Sequence, residues 1–137
     1  MATDFSNLEQ VITTVIDHGF QLHDSFGPGL LESAYEAFLA GSLREAGLHV
    51  QQQLTLSATY RGTTVDKAFR IDLLVDGKLV IEIKSVEKVA PVHSKQLLTY
   101  LRLTGLPVGL LINFGAPFYK NAVSRVIDSR NSYGRQK

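Results

Sequence analysis

The sequence predicts an α/β (α+β) fold: a central mixed β-sheet flanked by helices. Three observations predict it. Apolar residues recur at three- and four-residue steps up to Ala46, and at two-residue steps from Leu48 onward. An Asp76-Gly77 turn signal separates two apolar runs, as in a hairpin. After a further helical stretch, residues 108–114 (VGLLINF) form a continuous apolar run, the pattern of a strand buried on both faces.

The first helix is expected over residues 5–26. Leu8, Val11, Ile12, Val15, Ile16, Gly19, Leu22 and Phe26 make its apolar stripe, and Ser6 or Asn7 can cap it. Gly27-Pro28-Gly29 stops it. A second helix runs from Leu30 to Ala46, with Leu31, Ala34, Phe38 and Leu39 as apolar positions and Gly47 as the terminating glycine. Val50, Gln52, Leu54, Leu56 and Ala58 then read as one strand or a bent pair, followed by a turn at Arg61-Gly62. Strands are expected over 68–75 and 78–84. Pro91 breaks the chain, and a helix over 94–104 takes its core residues from Leu97, Leu98, Leu101 and Leu103. The strand 108–114 follows, then a short helix over 120–128. Residues 1–128 are expected to form a single domain, and 129–137 a polar, frayed tail.

Composition narrows the function classes. A chain of 137 residues with 45% apolar and 20% charged residues can build one core. Without cysteine it has no disulfide, thiolate metal site or cysteine nucleophile, and it fits a reducing, cytoplasmic setting. No apolar run is long enough to span a membrane, and the first 20 residues lack a basic signal-peptide start. A net charge of +1 excludes a strongly basic, histone-like binder but leaves room for a local basic groove.

The chemistry concentrates between Arg70 and Lys84. Strand alternation puts Ile71, Leu73 and Val75 on one face, with Asp72 and Leu74 on the other. Leu79, Ile81 and Ile83 share a face opposite Val80, Glu82 and Lys84. A two-residue loop would pair Val75 with Lys78 and turn one apolar set outward. A three-residue loop, or a bulge at Gly77, is therefore expected. That register sets Asp72 opposite Glu82 or one pair diagonal to it. Two neighbouring carboxylates repel, and burial raises the cost. A hard divalent cation, Mg²⁺ or Mn²⁺, resolves it with oxygen ligands from Asp72, Glu82 and the Ile83 carbonyl. Such an ion polarises a phosphoryl oxygen and acidifies water. Lys84 could orient that water or stabilise transition-state charge. The same pattern also describes an exposed antiparallel face on which Glu and Lys alternate for solubility.

Further segments carry a resemblance. Gly29-Leu-Leu-Glu32-Ser-Ala-Tyr35 matches the motif of the GxxExxY proteins, and Asp72-Leu-Leu-Val, Glu82-Ile-Lys84, residues 91–101 (PVHSKQLLTYL) and 105–114 (GLPVGLLINF) are similar to that family too. The likeness covers roughly residues 5–128. The family is grouped with the PD-(D/E)XK nucleases, near their RecB-like branch. The resemblance implies a restriction-endonuclease-like core and a Mg²⁺-dependent site hydrolysing phosphodiesters, most simply in DNA. Asp72 and Glu82 match the two acids and Lys84 the lysine. Glu32 matches an additional metal-ligating acid, while Gln96 and Tyr100 match the QxxxY element. Ile71 stands where the superfamily name has proline, a position without chemistry.

Competing readings accompany these residues. Glu32 is one helical turn from Tyr35 and Glu36, as a solvated residue could equally be. Gln96 and Tyr100 share one helix face, pointing at the acids or merely packing. His18, His23, His49 and His93 lack zinc spacing and read as surface or partly buried, with His93 nearest the site. Lys84, Lys88, Lys95, Arg102 and Lys120 could edge a nucleic-acid groove, with Arg125, Arg130, Arg135 and Lys137 adding phosphate contacts, or they are scattered solubility charge. A homo-oligomer or a protein partner could supply missing surface. The alternative to an enzyme is a non-catalytic module that keeps the fold and binds nucleic acid or protein.

Overall fold

A computed structural model describes residues 4–130; the 131–137 part of the expected tail, with Arg135 and Lys137, lies outside the described residues. Helices α1 (Leu8–Phe26) and α2 (Glu32–Glu45) precede β1 (Val50–Tyr60), β2 (Thr63–Val75) and β3 (Leu79–Lys84). Then come α3 (Pro91–Thr104), β4 (Val108–Asn113), a 3₁₀ turn over Tyr119–Asn121, and β5 (Val123–Ile127). The five strands lie in sequence order in one sheet. All neighbours are antiparallel except β3 and β4, which α3 connects in parallel. This is the mixed, helix-flanked sheet that the change of period predicts.

Two apolar layers hold it together. Leu8, Val11, Ile12 and Val15 of α1 and Tyr35, Leu39 and Leu43 of α2 pack on Leu73, Val75, Leu79, Ile81 and Ile83. On the other face, Leu97 and Leu101 of α3 cover Phe69, Ile71, Val80 and Leu111. All six residues of β4 are buried, as a continuous apolar strand between two helical layers requires. Among the described residues no helix is long and apolar enough to cross a membrane.

Several expectations are corrected. Residues 120–128 are a turn and an edge strand, because Val123, Ser124, Arg125, Val126 and Ile127 pair with β4 and thereby satisfy their backbone groups. Pro91 opens α3 instead of breaking the chain before it; its fixed φ suits a first helical turn, where its missing N–H costs nothing. Leu31 and Phe38 are exposed, since α2 turns Tyr35, Leu39, Ala40 and Leu43 inward. Phe26 and Leu103 are likewise exposed, and Phe26 stacks on Phe38. His23 is buried and bonds the Ala116 carbonyl at 2.7 Å. Asn7 sits at the α1 N-cap without a side-chain cap bond. Ile71 packs with the α3 layer rather than with Leu73 and Val75; between them the β1–β2 pairing is interrupted at Gln53 and Asp72, where Gln53 takes a left-handed φ.

Candidate functional site

The β2–β3 turn sets the register of the site. Asp76 and Gly77 take left-handed φ values of 52° and 65°, and Lys78 N–H closes the turn on the Val75 carbonyl at 3.0 Å. Val75 pairs with Leu79, Leu74 with Val80 and Leu73 with Ile81, so the loop has the expected three residues. One step further, Asp72 meets Glu82, and there side chains replace the ladder. Asp72 N–H donates to Glu82 Oε2 at 3.2 Å, and Ile83 N–H donates to Asp72 Oδ2 at 2.8 Å. Both carboxylates are thus fixed by backbone donors of the neighbouring strand. The Ile83 side chain lies in the α1/α2 core, so only its backbone reaches the site.

Around this pair opens a cleft of about 480 Å³. All six candidate side chains line it: Glu32 from α2, Asp72 from β2, Glu82 and Lys84 from β3, and Gln96 and Tyr100 from α3. Elements distant in sequence converge because β3 is sandwiched between the helical layers and ends at the cleft. Its exit is tied down on both sides. Asn113 Nδ2 donates to the Val86 carbonyl at 2.9 Å, and its Oδ1 accepts from Val86 N–H at 3.0 Å. Gly115 lies against the same segment, so close that an added Cβ would sit 2.3 Å from the Val86 oxygen. Glu32 is delivered by the loop before α2. Tyr35 Oη accepts from Leu30 N–H at 3.1 Å and donates to the Gly27 carbonyl at 2.5 Å, while Ser85 Oγ donates to the Leu30 carbonyl at 2.8 Å.

The electrostatics follow from this crowding. Burial, then the hydrogen bond and charge of Asp72, push the Glu82 carboxyl up to about 9. Glu82 therefore keeps its proton at neutral pH when no cation faces it. Partial burial raises Glu32 as well, with Asp72 and Glu36 adding to the rise and Lys84 opposing it. Tyr100 is raised by burial and by the charges of Glu82 and Asp72. Its ring leans on Phe69, with centroids 5.1 Å apart.

Other cleft residues were not singled out from the sequence. Lys67 and Arg70 line it, with Thr55 and Phe69. Arg70 shares strand parity with Asp72, a signal that alternation already contained. Lys88, Lys95, Arg102 and Lys120 do not line it. Arg125 instead pairs with Glu9 at 3.1 Å, and Arg130 with Asp128 at 3.6 Å. His93 is outside the lining; its Nδ1 accepts from Ala90 N–H at 3.3 Å at the start of α3.

Behind Asp72 sits a second polar layer. Gln53 of β1 has a left-handed φ of 51° inside a strand, beside the gap in pairing opposite Asp72. From there its Nε2 donates to Asp72 Oδ1 at 3.3 Å and, closely, to Glu36 Oε1. Buried Glu36 also accepts from Gln52 Nε2 at 3.1 Å. A polar Gln52 at an otherwise apolar strand position was the trace of this arrangement in the sequence.

Among the described residues no three His, Asp or Glu side chains gather into a ready-made metal cage. The donor set still suits a hard cation. Two carboxylates face each other, all side-chain ligands are oxygens, and one acid holds a proton that a cation would displace. Mg²⁺ is commonly held in this way, by one or two carboxylates with waters and substrate phosphates completing the shell.

A family model described as the PD-(D/E)XK nuclease superfamily matches residues 9–126, from the first turn of α1 into β5. No curated protein and no solved structure gives a significant match.

Proposed function

The chain belongs to the PD-(D/E)XK nuclease superfamily, and from that premise we propose that it is a Mg²⁺- or Mn²⁺-dependent deoxyribonuclease of the GxxExxY type, near the RecB-like branch. The observation that carries the proposal is the convergence of Glu32, Asp72, Glu82, Lys84, Gln96 and Tyr100, drawn from four elements, on one cleft. A solubility pattern on an exposed sheet face would not bury Glu82 or direct two helices at it.

Asp72, Glu82 and the Ile83 carbonyl would hold the divalent ion, with Glu32 as a further ligand or a ligand through water. When bound, the ion would supply Lewis-acid stabilisation of the phosphoryl oxygen. Asp72 is held in orientation because Ile83 N–H and Gln53 Nε2 donate to it. Lys84 orients the attacking water and offsets charge that grows on the phosphate oxygens. Water adds to phosphorus, the bridging P–O bond breaks, and the departing oxygen takes up a proton. Gln96 and Tyr100 donate hydrogen bonds to the scissile phosphate. Lys67 and Arg70 attract the flanking phosphates.

The test incubates linear, circular and single-stranded DNA with Mg²⁺, Mn²⁺ or EDTA, beside Asp72→Ala and Lys84→Ala. Metal-dependent cleavage that both substitutions abolish supports the reading. Cleavage surviving both indicates a contaminant. A folded protein that binds no metal by calorimetry and cuts nothing is the non-catalytic module instead.

A further inference from the structure

We propose that the outer β1–β2 arm is a nucleic-acid track that holds the substrate strand where it leaves the acid cleft, with Tyr60 as a stacking platform at its far end. The inference rests on the nuclease reading above and adds a footprint to it.

A groove of about 790 Å³ runs along the arm, past Tyr60, Arg61, Thr63 and Val65, with Leu103 of α3 at its wall. Lys67 lines both this groove and the acid cleft, so the two adjoin at its side chain. The charge along it has one sign. Arg61 and Lys67 are its ionic residues, and Asp66, the only acid between Leu54 and Ile71, does not line it. The ion pairs among the described residues involve neither cation. At the tip Tyr60 is 74% exposed, with the Arg61 guanidinium 5.6 Å from its ring centroid. An aromatic ring beside a cation is a sequence-tolerant platform for a base.

A polyanion carrying flat bases matches cations followed by an exposed ring, and the acids at the other end are where a phosphodiester would be cut. A second copy of this chain would find Val65 and Leu103 exposed but no acid in the groove to meet Arg61 and Lys67.

The test uses the full chain in Ca²⁺ and follows the anisotropy of labelled single-stranded DNA, a 20-mer and a 4-mer, over a salt series, with gel filtration alongside. Arg61→Gln, which lines the groove but not the acid cleft, is expected to weaken 20-mer binding about 3-fold and to reduce the salt slope by about 0.7, the value for one phosphate contact on a single strand. The 4-mer, short enough for the cleft alone, is expected to bind as before. Tyr60→Ala is expected to weaken the 20-mer by about 5-fold or more without changing the slope. Both residues tested, Tyr60 and Arg61, are exposed, and far-UV circular dichroism checks that each variant folds. Unchanged 20-mer affinity and slope, with cleavage intact, overturns the track and leaves the nuclease reading standing. Equal losses on both lengths, or a changed oligomeric state with binding unaltered, also overturn it. Wild-type protein that neither binds nor cuts DNA removes the nuclease reading and the track with it.

Discussion

At the residue scale the decisive group is Glu82. Its carboxyl titrates near 9 in the fold and near its ordinary value when unfolded. The folded state therefore binds the extra proton, and Glu82 contributes stability that is complete below about 4.5 and fades as pH rises toward 9. Urea melts of metal-free protein between pH 5.5 and 9 should show this loss, and Glu82→Gln should flatten it. Asp72→Asn and Lys84→Ala should each lower cleavage by about 10²–10³-fold or more in a timed DNA assay, with folding retained. Gln53 separates strain from function. Its left-handed φ costs on the order of 1 kcal/mol, which Gln53→Gly should recover in a thermal melt. The same substitution removes the amide that restrains Asp72 and should lower activity several-fold, as Gln53→Ala does without the gain. That Asp72, Glu82 and Lys84 come together in one cleft was legible in the sequence because alternation within β3 and the three-residue β2–β3 loop jointly set their register. Gln53 and Glu36 were not, because they act through a backbone conformation that no propensity of glutamine announces.

At the scale of elements, the segment from Gly27 to Tyr35 shows what a glycine–glutamate–tyrosine spacing can accomplish. Gly27-Pro28-Gly29 releases the chain from α1, and Tyr35 reaches back to bond both Leu30 and Gly27 while its ring stacks on Phe114 at 4.6 Å. The tyrosine is buried packing and a loop clamp; the glutamate alone faces the cleft. Tyr35→Phe keeps the stacking and orphans the loop bonds, so it should cost about 1–3 kcal/mol in a denaturant melt. Its activity should fall through Glu32 misplacement. Helices α1 and α2, the hairpin turns and β4 were readable because each has a strong period or turn chemistry. The last strand was not: with only five residues at a sheet edge, its identity comes from pairing with β4 rather than from its own pattern. Pro91 misled for a related reason, since one proline suits both a loop and the first turn of a helix.

Across the whole molecule, site and fold are linked through one charge balance. The strands on either side of the Asp72–Glu82 gap belong to both apolar layers, so opposing charge there loads the entire sheet. A divalent ion that binds the folded site but not the unfolded chain should stabilise the protein by about 2.7 kcal/mol at a concentration 100 times its Kd. For a chain this size that is roughly a 10 °C rise in Tm. Because the ion displaces the Glu82 proton, its affinity should increase with pH through the window in which the metal-free protein weakens. Scanning calorimetry with Mn²⁺ at pH 6 and pH 8.5 tests both slopes at once: the Tm gain should be larger at the higher pH and EDTA should reverse it. Glu82→Gln, a permanent mimic of the protonated acid, should match the metal-free wild type at pH 6 and gain little from Mn²⁺ at either pH. A Mn²⁺ shift that Glu82→Gln leaves intact would place the ion elsewhere and sever the charge balance from the chemistry proposed for the cleft.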